Sequence, residues 1–195
     1  MPRSRSEHPP VAELFPPQGQ WTEAHYFALP DTNRYVELSE GRLIMPPHPT
    51  RKHQAALEAL FVKLWAFVKE RGLGELHVAP LPVRLWPGKI REPDIFFLAK
   101  EHINRAGERA FGVPDLVVEV LSPSTWETDR NEKFFEYAKA GVKEYWLVDP
   151  DEKTVEVYFL QGNAFAPLGK FHPGQRARSQ LLVGFEIDPA EIFSG

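Results

Sequence analysis

The sequence contains no cysteine, only two methionines, and no apolar stretch long enough to cross a bilayer. Without cysteine, the chain cannot form disulfides, thiolate metal sites or a cysteine nucleophile. This absence fits a cytoplasmic protein, and we expect neither a signal segment after Met1 nor membrane association. The net charge of −4 argues against extensive contact with duplex phosphates, although a local basic groove is compatible with it.

A length of 195 residues, with 43% hydrophobic and 26% charged residues, is typical of one soluble globular domain. We expect a flexible N-terminal tail over residues 1–20 and a single domain over 21–195. Periodicity and turn residues predict helices at 23–29, 50–72, 127–140 and 189–193. They predict strands at 34–38, 41–45, 75–86, 92–98, 116–121, 144–148, 154–160 and 164–171.

Glu119 interrupts an otherwise apolar segment over residues 116–121. Turn-forming residues bound this segment on both sides, so we predict a strand that is buried on both faces. An ionised carboxylate without a partner there costs several kcal/mol, or its pKa rises and it becomes neutral. Glu119 therefore needs a cationic side chain, a set of hydrogen-bond donors or a metal ion.

Asp94 follows Pro93 and directly precedes the apolar residues 95–98, at the mouth of a second predicted strand. Acids on neighbouring strands can converge on a hard cation such as Mg²⁺, which takes carboxylate oxygens. Lys133, on the helix after the Glu119 strand, could orient an attacking water or neutralise phosphoryl charge. The alternatives are a structural ion pair for Glu119, a turn-capping role for Asp94 and a solvated Lys133.

These residues belong to a longer set of segments in the sequence. The set comprises YVEL at 35–38 with GRL at 41–43, His53, VRL at 83–85, EPDI at 92–95, PDLVVEVLSPST at 114–125, Asp129, Lys133, Tyr137, GV at 141–142 and EYWLVDP at 144–150. It resembles the PD-(D/E)XK nuclease superfamily and, more narrowly, the Uma-type family of restriction-endonuclease-like proteins. The resemblance extends from about residue 22 to about residue 158, and the segment 114–150 is long and specific.

The resemblance implies a restriction-endonuclease-like core of helix, three antiparallel strands, helix and strand, which agrees with the predicted element order. The predicted fold class is α/β (α+β): this core, with a mixed β-sheet flanked by helices and with N-terminal and C-terminal β-hairpin additions. The resemblance also implies DNA hydrolysis that depends on Mg²⁺ or Mn²⁺, with Asp94, Glu119 and the Val120 carbonyl as ligands.

The superfamily places its lysine two residues after the acid, where this chain has Leu121. The lysine of this family matches Lys133, whose long stem can reach the same point from the helix.

Several further residues are candidates for the site. Glu37 is a catalytic acid implied by the resemblance, and a solvent-facing position on an amphipathic strand is the equal alternative. His53 could contact a phosphate or act as an acid or base, or it is a partly buried histidine satisfied by backbone. Arg84 could contact a nucleic-acid backbone or pair with Glu92. Ser122, Ser124 and Tyr137 complete the candidate substrate contacts.

Three functions are compatible with these patterns. We favour a metal-dependent DNA endonuclease that uses Asp94, Glu119, Lys133 and Glu37. A non-catalytic binding module on a nuclease scaffold is favoured by the net charge of −4 and by Leu121. An interaction protein is the third, and we expect a homodimer, which would also suit a nuclease because two sites can address two strands. An exposed apolar patch on the C-terminal hairpin, at Tyr158, Phe159, Phe165 and Phe171, would mark its interface.

Overall fold

A computed structural model describes residues 15–30 and 35–193. The strands are β1 (Glu37–Ser39), β2 (Arg42–Ile44), β3 (Gly74–Val78), β4 (Val83–Trp86), β5 (Lys89–Arg91), β6 (Ile95–Ala99), β7 (Leu116–Val120), β8 (Glu144–Asp149), β9 (Thr154–Gln161), β10 (Ala164–Phe171), β11 (Ala177–Arg178) and β12 (Glu186–Ile187). The helices are α1 (Glu23–Phe27), α2 (Arg51–Arg71), α3 (Phe134–Ala140) and α4 (Pro189–Ile192), with a 3-10 helix at Lys100–Arg105 and a π-helical turn at Thr128–Lys133.

Six strands form the central sheet in the order β10-β9-β8-β7-β6-β3. Strands β3, β6 and β7 pair antiparallel, and β8 then pairs parallel to β7 after a helical crossover. The predicted order of helix, three antiparallel strands, helix and strand is therefore confirmed, as is the mixed α+β fold class. A second sheet, in the order β2-β1-β5-β4, carries the N-terminal hairpin.

Helix α2 has the boundaries that its capping residues predict. The Thr50 side chain accepts a hydrogen bond from the His53 amide at the first turn, and Gly72 ends the helix at a φ of 59°. The side chains of Leu57, Leu60 and the other residues of the apolar stripe pack on one face of the central sheet. This packing holds the first turn of α2, with His53, at the edge of the sheet where β6 begins and β7 ends, which is where the candidate site lies.

The two long strands predicted at 75–86 and 92–98 are wrong in extent. The first is two strands, β3 and β4, which belong to different sheets, and the second begins only after Pro93, at Ile95. Pro80, Pro82 and Pro93 lie in the interruptions. Proline has no N–H to donate to a strand ladder, so each interruption frees the chain to change sheets.

The predicted helix at 127–140 is α-helical at Trp126 and Glu127, continues as a π-helical turn at Thr128–Lys133 and is α-helical again from Phe134. Asp129 and Lys133 both lie in this turn, and both are buried. Such turns are rare and are found frequently at functional sites. Gly141 ends α3 at a φ of 92°, as its position predicts.

Strand β7 is buried on both faces, as predicted. Leu116, Val118 and Val120 pack toward α2, whereas Val117 and Leu121 pack with Tyr137 and Tyr145 on the opposite face. Because side chains alternate along a strand, Glu119 points to the same face as Val117 and Leu121. It therefore points toward α3 and the π-helical turn.

The aromatic rings of the C-terminal hairpin are half-buried. The centroid of the Phe134 ring lies 4.9 Å from that of Tyr158 and 5.2 Å from that of Phe165, and Phe171 packs against the main core. Neither these rings nor Phe159 is among the exposed large hydrophobic residues of the described chain. They do not form the apolar patch that would mark an interface, so the homodimer stays a prediction.

The predicted tail, residues 1–20, lies mostly outside the described residues, and so does Arg34 of the first hairpin. Within the described part, the Gly19 amide donates to the Gly41 carbonyl at 2.8 Å, and the Phe15 ring stacks on Trp21. Residues 15–20 thus contact the N-terminal hairpin. In residues 15–30 and 35–193, every helix is too short or too polar to span a bilayer.

Candidate active site

The register of β6 and β7 brings the two central acids to one end of the sheet. Ile95 pairs with Val118 and Phe96 with Val117, so one further step sets Asp94 opposite Glu119. Residues directly opposite on antiparallel strands present their side chains to the same face. The Asp94 Oδ2 atom also accepts a hydrogen bond from the Val120 amide at 2.8 Å, which fixes the carboxylate against the end of β7.

A cleft of about 190 Å³ opens over this end of the sheet. Its walls come from the N-terminal hairpin with the loop after it, α2, the loop after β7 and the π-helical turn. The lining residues are Tyr35, Glu37, Ile44, Met45, Pro46, Pro47, Pro49, His53, Glu92, Asp94, Glu119, Val120, Ser122, Ser124, Thr125, Thr128, Asp129 and Lys133. The predicted set of Glu37, Asp94, Glu119 and Lys133 therefore lies in one cleft.

Lys133 lies among three buried carboxylates of this cleft. Its Nζ atom donates to Glu119 Oε1 at 3.0 Å and lies 3.6 Å from Glu37 Oε1. It is also 3.0 Å from Asp129 Oδ1, one turn earlier, as an ion pair without hydrogen-bond alignment. The lysine is 6% exposed, so the solvated alternative for Lys133 is wrong. A helix-borne lysine does reach the face of β7 on which Leu121 lies.

The electrostatics of this group follow from burial and crowding. Burial raises the pKa of Glu119 well above its ordinary value, and the charges of Asp129 and Asp94 add to the rise, although Lys133 and a Tyr137 hydrogen bond oppose it. Burial alone would lower the pKa of Lys133, but the surrounding carboxylates outweigh it and raise that pKa. Glu37 also pairs with Arg91, but Glu119 and Asp129 have only Lys133 as a cationic partner among the described residues, and a bound cation relieves such a deficit.

Glu37 is buried at the back of the cleft and is not solvent-facing. Its Oε2 atom accepts from Arg91 Nη1 at 2.7 Å. Burial alone would raise the pKa of Glu37, but Lys133 and Arg91 outweigh it and lower that pKa. Arg91 is fully buried and also binds Glu136 and Glu132, so it ties the N-terminal sheet to α3 and the π-helical turn.

His53 contacts an acid rather than backbone at its ring. Its Nε2 atom lies 3.1 Å from Asp94 Oδ2, and its Nδ1 atom is buried without a hydrogen-bond partner in the described residues. The side chain lines the cleft, so the alternative of a histidine satisfied by backbone is wrong for the ring. Of the loop residues, Ser122 and Ser124 also line the cleft and are hydrogen-bonded to each other at 3.0 Å.

Two predicted substrate contacts lie elsewhere. Arg84 projects outward between buried Val83 and Leu85, and its Nε atom donates to Glu23 at 2.9 Å, neither to Glu92 nor into the cleft. Tyr137 is fully buried behind Glu119, to which its hydroxyl donates at 2.7 Å. It packs against the Tyr145 ring between α3 and the sheet, so it can position Glu119 but cannot reach a substrate.

The sequence analysis did not assign three of the ionisable residues that line the cleft, Asp129, Glu92 and Tyr35. Asp129 has a usable signal, because a spacing of four residues from Lys133 on a helix places both side chains together. Glu92 has another, because it lies two residues before Asp94 and shares the strand face expected for it. Tyr35 had none beyond its place in the first hairpin. Burial, with the charges of Asp94 and Glu92, raises the pKa of Tyr35 to about 12.

The donor set of the cleft fits a hard divalent cation. All the charged acceptors are carboxylates, and burial leaves Glu119 and Glu92 without full compensation. Residues 15–30 and 35–193 contain no ready-made group of three His, Asp or Glu ligands. Mg²⁺ does not require one, because it is usually bound by one or two carboxylates and keeps several water molecules.

The fold and this acidic cleft with its lysine define a restriction-endonuclease-like class of protein. Comparison with known proteins gives the family. A model of the Uma2 family, described as "Putative restriction endonuclease", matches residues 23–190, and the chain belongs to that family. The chain is also similar to a crystal structure of a "putative nuclease belonging to DUF820" from Anabaena variabilis ATCC 29413. The two share 25% identity with a TM-score of 0.74, over 89% of this chain and 97% of that one. No curated protein matches the sequence.

Proposed function

We propose that this protein is a metal-dependent endonuclease that hydrolyses phosphodiester bonds of DNA. The observation that carries the proposal is the position of Lys133, whose Nζ atom lies 3.0 Å from Glu119 in the cleft that Asp94 also lines. Two acids from adjacent strands and a lysine on the same sheet face are the side chains that phosphodiester hydrolysis needs. Membership of the Uma2 family supports a nucleic-acid substrate.

Asp94 and Glu119 would hold Mg²⁺ or Mn²⁺, with the Val120 carbonyl as a third ligand. A bound ion supplies Lewis acidity and positive charge at the phosphoryl oxygens. The protein contributes the geometry, because the Val120 amide and the His53 ring hold the Asp94 carboxylate from two directions. Tyr137 holds Glu119 from behind. These contacts fix both ligands before the substrate arrives, which is how a site avoids reorganisation during the reaction.

Lys133 would act on the attacking side of the phosphate. Three surrounding carboxylates keep its amine protonated, so it donates hydrogen bonds and does not abstract a proton. It would orient the attacking water and stabilise charge on the phosphoryl oxygens. Glu37 lies 3.6 Å from the same ammonium and would position it. Ser122 and Ser124 would contact substrate oxygens at the cleft wall.

Incubation with supercoiled plasmid DNA and Mg²⁺ or Mn²⁺ tests the proposal. We expect nicked and linear DNA with the wild type, and no cleavage with EDTA or with Glu119→Ala. That variant should fold normally, because Glu119 is incompletely compensated where it is buried. The exposed Glu101, on the 3-10 helix, offers the matched control Glu101→Ala, which should cleave like the wild type. Cleavage retained by pure Glu119→Ala would overturn the proposal.

A non-catalytic binding module is the second candidate, because Lys133 and Arg91 already neutralise part of the acidic cleft. Such a module needs no divalent cation. A titration with millimolar Mn²⁺ separates the two functions: the nuclease should bind the ion in the cleft, whereas the module should not. Binding that is lost in both Asp94→Asn and Glu119→Gln supports the nuclease.

A further inference from the structure

Strands β3 and β10 lie at the two ends of the central sheet, and they differ in how their outer sides are protected. Strand β10 contains Pro167, Lys170 and a register irregularity between Pro167 and Gly169. Proline, lysine and bulges are devices by which proteins prevent further pairing at a sheet edge. Strand β3 contains neither proline nor lysine, and its register with β6 is regular from Gly74 to Val78. Its outer side is therefore suited to pairing with another strand.

Hydrogen bonds at the two ends of β3 show which backbone groups face outward. The Ala79 amide donates to the Asp94 carbonyl, and the Lys100 amide donates to the Leu73 carbonyl. Because the direction of these groups alternates along a strand, the odd-numbered residues of β3 bond to β6. The amides and carbonyls that point to the outer side belong to Gly74, Leu76 and Val78. In the part of the chain that the structure describes, no other strand or loop backbone bonds to them.

Helix α2 leaves this side of β3 uncovered. A cavity of about 220 Å³ lies between the two elements, lined by Trp65, Val68 and Lys69 of the helix and by residues 74–77 of the strand. Trp65 is 43% exposed, although the Lys69 ammonium lies 4.3 Å from its ring centroid. Exposed aromatic surface beside outward-facing backbone groups is typical of a site to which a strand is added.

The other face of β3 has two polar side chains of opposite character. His77 stacks on Phe96, with the ring centroids 5.1 Å apart, and its Nε2 atom lies 3.1 Å from Glu75 Oε2. These two residues lie on either side of Leu76. In an antiparallel pair of β3 strands centred on Leu76, Glu75 of one copy is directly opposite His77 of the other. Such a pair does not exchange backbone hydrogen bonds, and its Cα atoms are about 4.5 Å apart.

The charges of these side chains select one register. A shift of two residues sets Glu75 opposite Glu75 of the second copy in one direction, and His77 opposite His77 in the other. Like charges directly opposite each other destabilise a strand pair, whereas a carboxylate opposite an imidazole donor stabilises it. The register centred on Leu76 makes two unlike pairs, related by the two-fold axis. It also sets Gly74 opposite Val78, so every outward-facing backbone group of β3 gains a partner.

We propose that β3 pairs antiparallel with β3 of a second copy of this chain, with Leu76 at the two-fold axis. The two central sheets then form one continuous sheet, and the cavity beside Trp65 is closed by the same surface of the second copy. This interface is separate from the C-terminal hairpin. Residues 74–78 do not line the acidic cleft, so the pairing does not depend on the proposed function.

Sedimentation velocity of the full chain at micromolar concentration tests the pairing. We expect a wild-type dimer. Glu75→Lys sets a lysine opposite His77 in both symmetric pairs and should raise the dissociation constant about 10-fold or more. Glu152→Lys makes the same change of charge at an exposed residue in the turn between β8 and β9, and it should sediment like the wild type. Circular dichroism establishes that each variant is folded.

Disulfide cross-linking tests the register, because the chain contains no cysteine of its own. Glu75→Cys and His77→Cys chains are oxidised separately and after mixing. In the mixed dimer one pair of thiols is directly opposite at about 4.5 Å between Cα atoms, which suits a disulfide, and the second Glu75–His77 pair stays native. We expect linked dimers in the mixture. Val183→Cys, at a residue that is 82% exposed, measures cross-linking by random collision.

Each outcome supports or overturns the pairing. A dimer weakened by Glu75→Lys, together with linkage in the mixture well above that of either chain alone or of Val183→Cys, is the result that the pairing requires. A monomeric wild type, or a dimer that Glu75→Lys leaves equally tight, would overturn it. Linkage of one variant alone with no gain on mixing would overturn this register. If a variant does not fold, Leu76→Cys replaces the pair, since its thiol faces its own copy at about 5.5 Å between Cα atoms.

Discussion

The two ends of the parallel pair β7 and β8 both carry buried acids, but with opposite surroundings. At the N-terminal ends, Glu144 is fully buried and accepts four hydrogen bonds. They come from the Trp146 indole and the Ser179 hydroxyl, each at 2.7 Å, and from the Gln180 and Leu181 amides, each at 2.8 Å. Asp115 is likewise held by the Ala99 amide and the His102 ring.

At the C-terminal end of β7, Glu119 and Asp94 face a cleft instead. Glu119 shares one ammonium with Asp129 and Glu37, and its hydrogen-bonded oxygen serves both Lys133 and Tyr137. Burial is equal at the two ends, since Glu119 is 2% exposed and Asp115 is also 2% exposed. Burial therefore does not distinguish the acids at the two ends. Glu144 and Asp115 have hydrogen-bond partners on both carboxylate oxygens, whereas the partners of Glu119 and of Asp94 each reach only one oxygen.

Among the substitutions proposed for the two ends, removal of the Lys133 amine should change the free energy of unfolding most. Lys133→Met leaves Asp129 and Glu37 without the cation they share and should lower the free energy of unfolding by about 3–5 kcal/mol. Added Mg²⁺ should restore more stability to this variant than to the wild type. Urea denaturation with and without Mg²⁺ measures both. Lys143→Met, at an exposed lysine just before β8, is the control and should change stability by about 0.5 kcal/mol or less.

A Lys133→Met protein as stable as the wild type without added metal would contradict the account. That result would mean that the carboxylates around Lys133 are neutral, and the cleft would then have no unbalanced charge for a cation to relieve.

Glu144→Gln should show the reverse behaviour, with a loss of stability and no loss of function. The amide NH₂ would face two donors, whichever way it is turned, because all four partners of Glu144 donate. We expect a loss of about 3 kcal/mol, which lowers the melting temperature by about 6–12 °C for a chain of this size. Cleavage per folded molecule should be unchanged.

The matched control is Glu186→Gln, because Glu186 is exposed and pairs only at the surface with arginine side chains. It should cost less than about 1 kcal/mol. Equal losses of stability for Glu144→Gln and Glu186→Gln would show that the hydrogen bonds to Glu144 do not anchor the segment 179–181.

A third structural acid gives a prediction about pH. Burial alone would raise the pKa of Glu156, but hydrogen bonds from Arg130 and Tyr158 outweigh it and lower the pKa to about 2 from 4.5. An acid with a depressed folded pKa stabilises the protein above its unfolded pKa, and that stability is lost as the pH falls toward the folded value. The contribution should be about 2 kcal/mol, after a discount for solvent screening.

Denaturation of the wild type and Glu156→Gln at pH 6 and pH 2.5 measures this contribution. The difference between the two proteins should be largest at pH 6, shrink below pH 4.5 and nearly vanish as the pH approaches 2. A difference that is constant over this range would exclude the ion pair with Arg130 as its source.

The smallest predicted effect concerns the hydroxyl behind Glu119. Tyr137→Phe removes one neutral hydrogen bond from the carboxylate, which is worth about 1 kcal/mol. Cleavage should fall about 5-fold, as the position of Glu119 loosens. The control is Tyr145→Phe, whose hydroxyl donates to the Asp129 backbone carbonyl at 3.0 Å. It should lose similar stability with cleavage unchanged, and an equal loss of cleavage in both variants would remove the positioning role.

Much of the fold could be predicted from the sequence, because capping residues and apolar runs coincide with the boundaries of helices and strands. Thr50 and Gly72 bound α2 through their capping geometry, and the apolar run around Glu119 predicts a strand buried on both faces. The predicted strand boundaries are wrong where prolines redirect the chain from one sheet to the other, between β3 and β4 and before β6. Propensity identifies such an interruption but not the sheet that the chain joins afterwards.

The candidate site could be predicted from the sequence only in part. The pairing of Asp94 with Glu119 follows from adjacent strands, and Lys133 follows from the family pattern. The partners of Arg84 and Glu92 depend on the second sheet, whose contacts are long-range in sequence: Glu23 binds Arg84 from 61 residues away. The π-helical turn at Thr128–Lys133 also has no local signal, because its sequence is compatible with an ordinary α-helix.

We propose that Asp94 and Glu119 are held together to bind a divalent ion, and anomalous scattering from a crystal soaked in MnCl₂ is the sharpest test of that binding. We predict an anomalous peak in the cleft, within about 2.2 Å of a carboxylate oxygen from each of the two residues, with Lys133 displaced from Glu119 or sharing it with the ion. A map with no peak between these carboxylates, and with Lys133 still bound to Glu119, would contradict the claim.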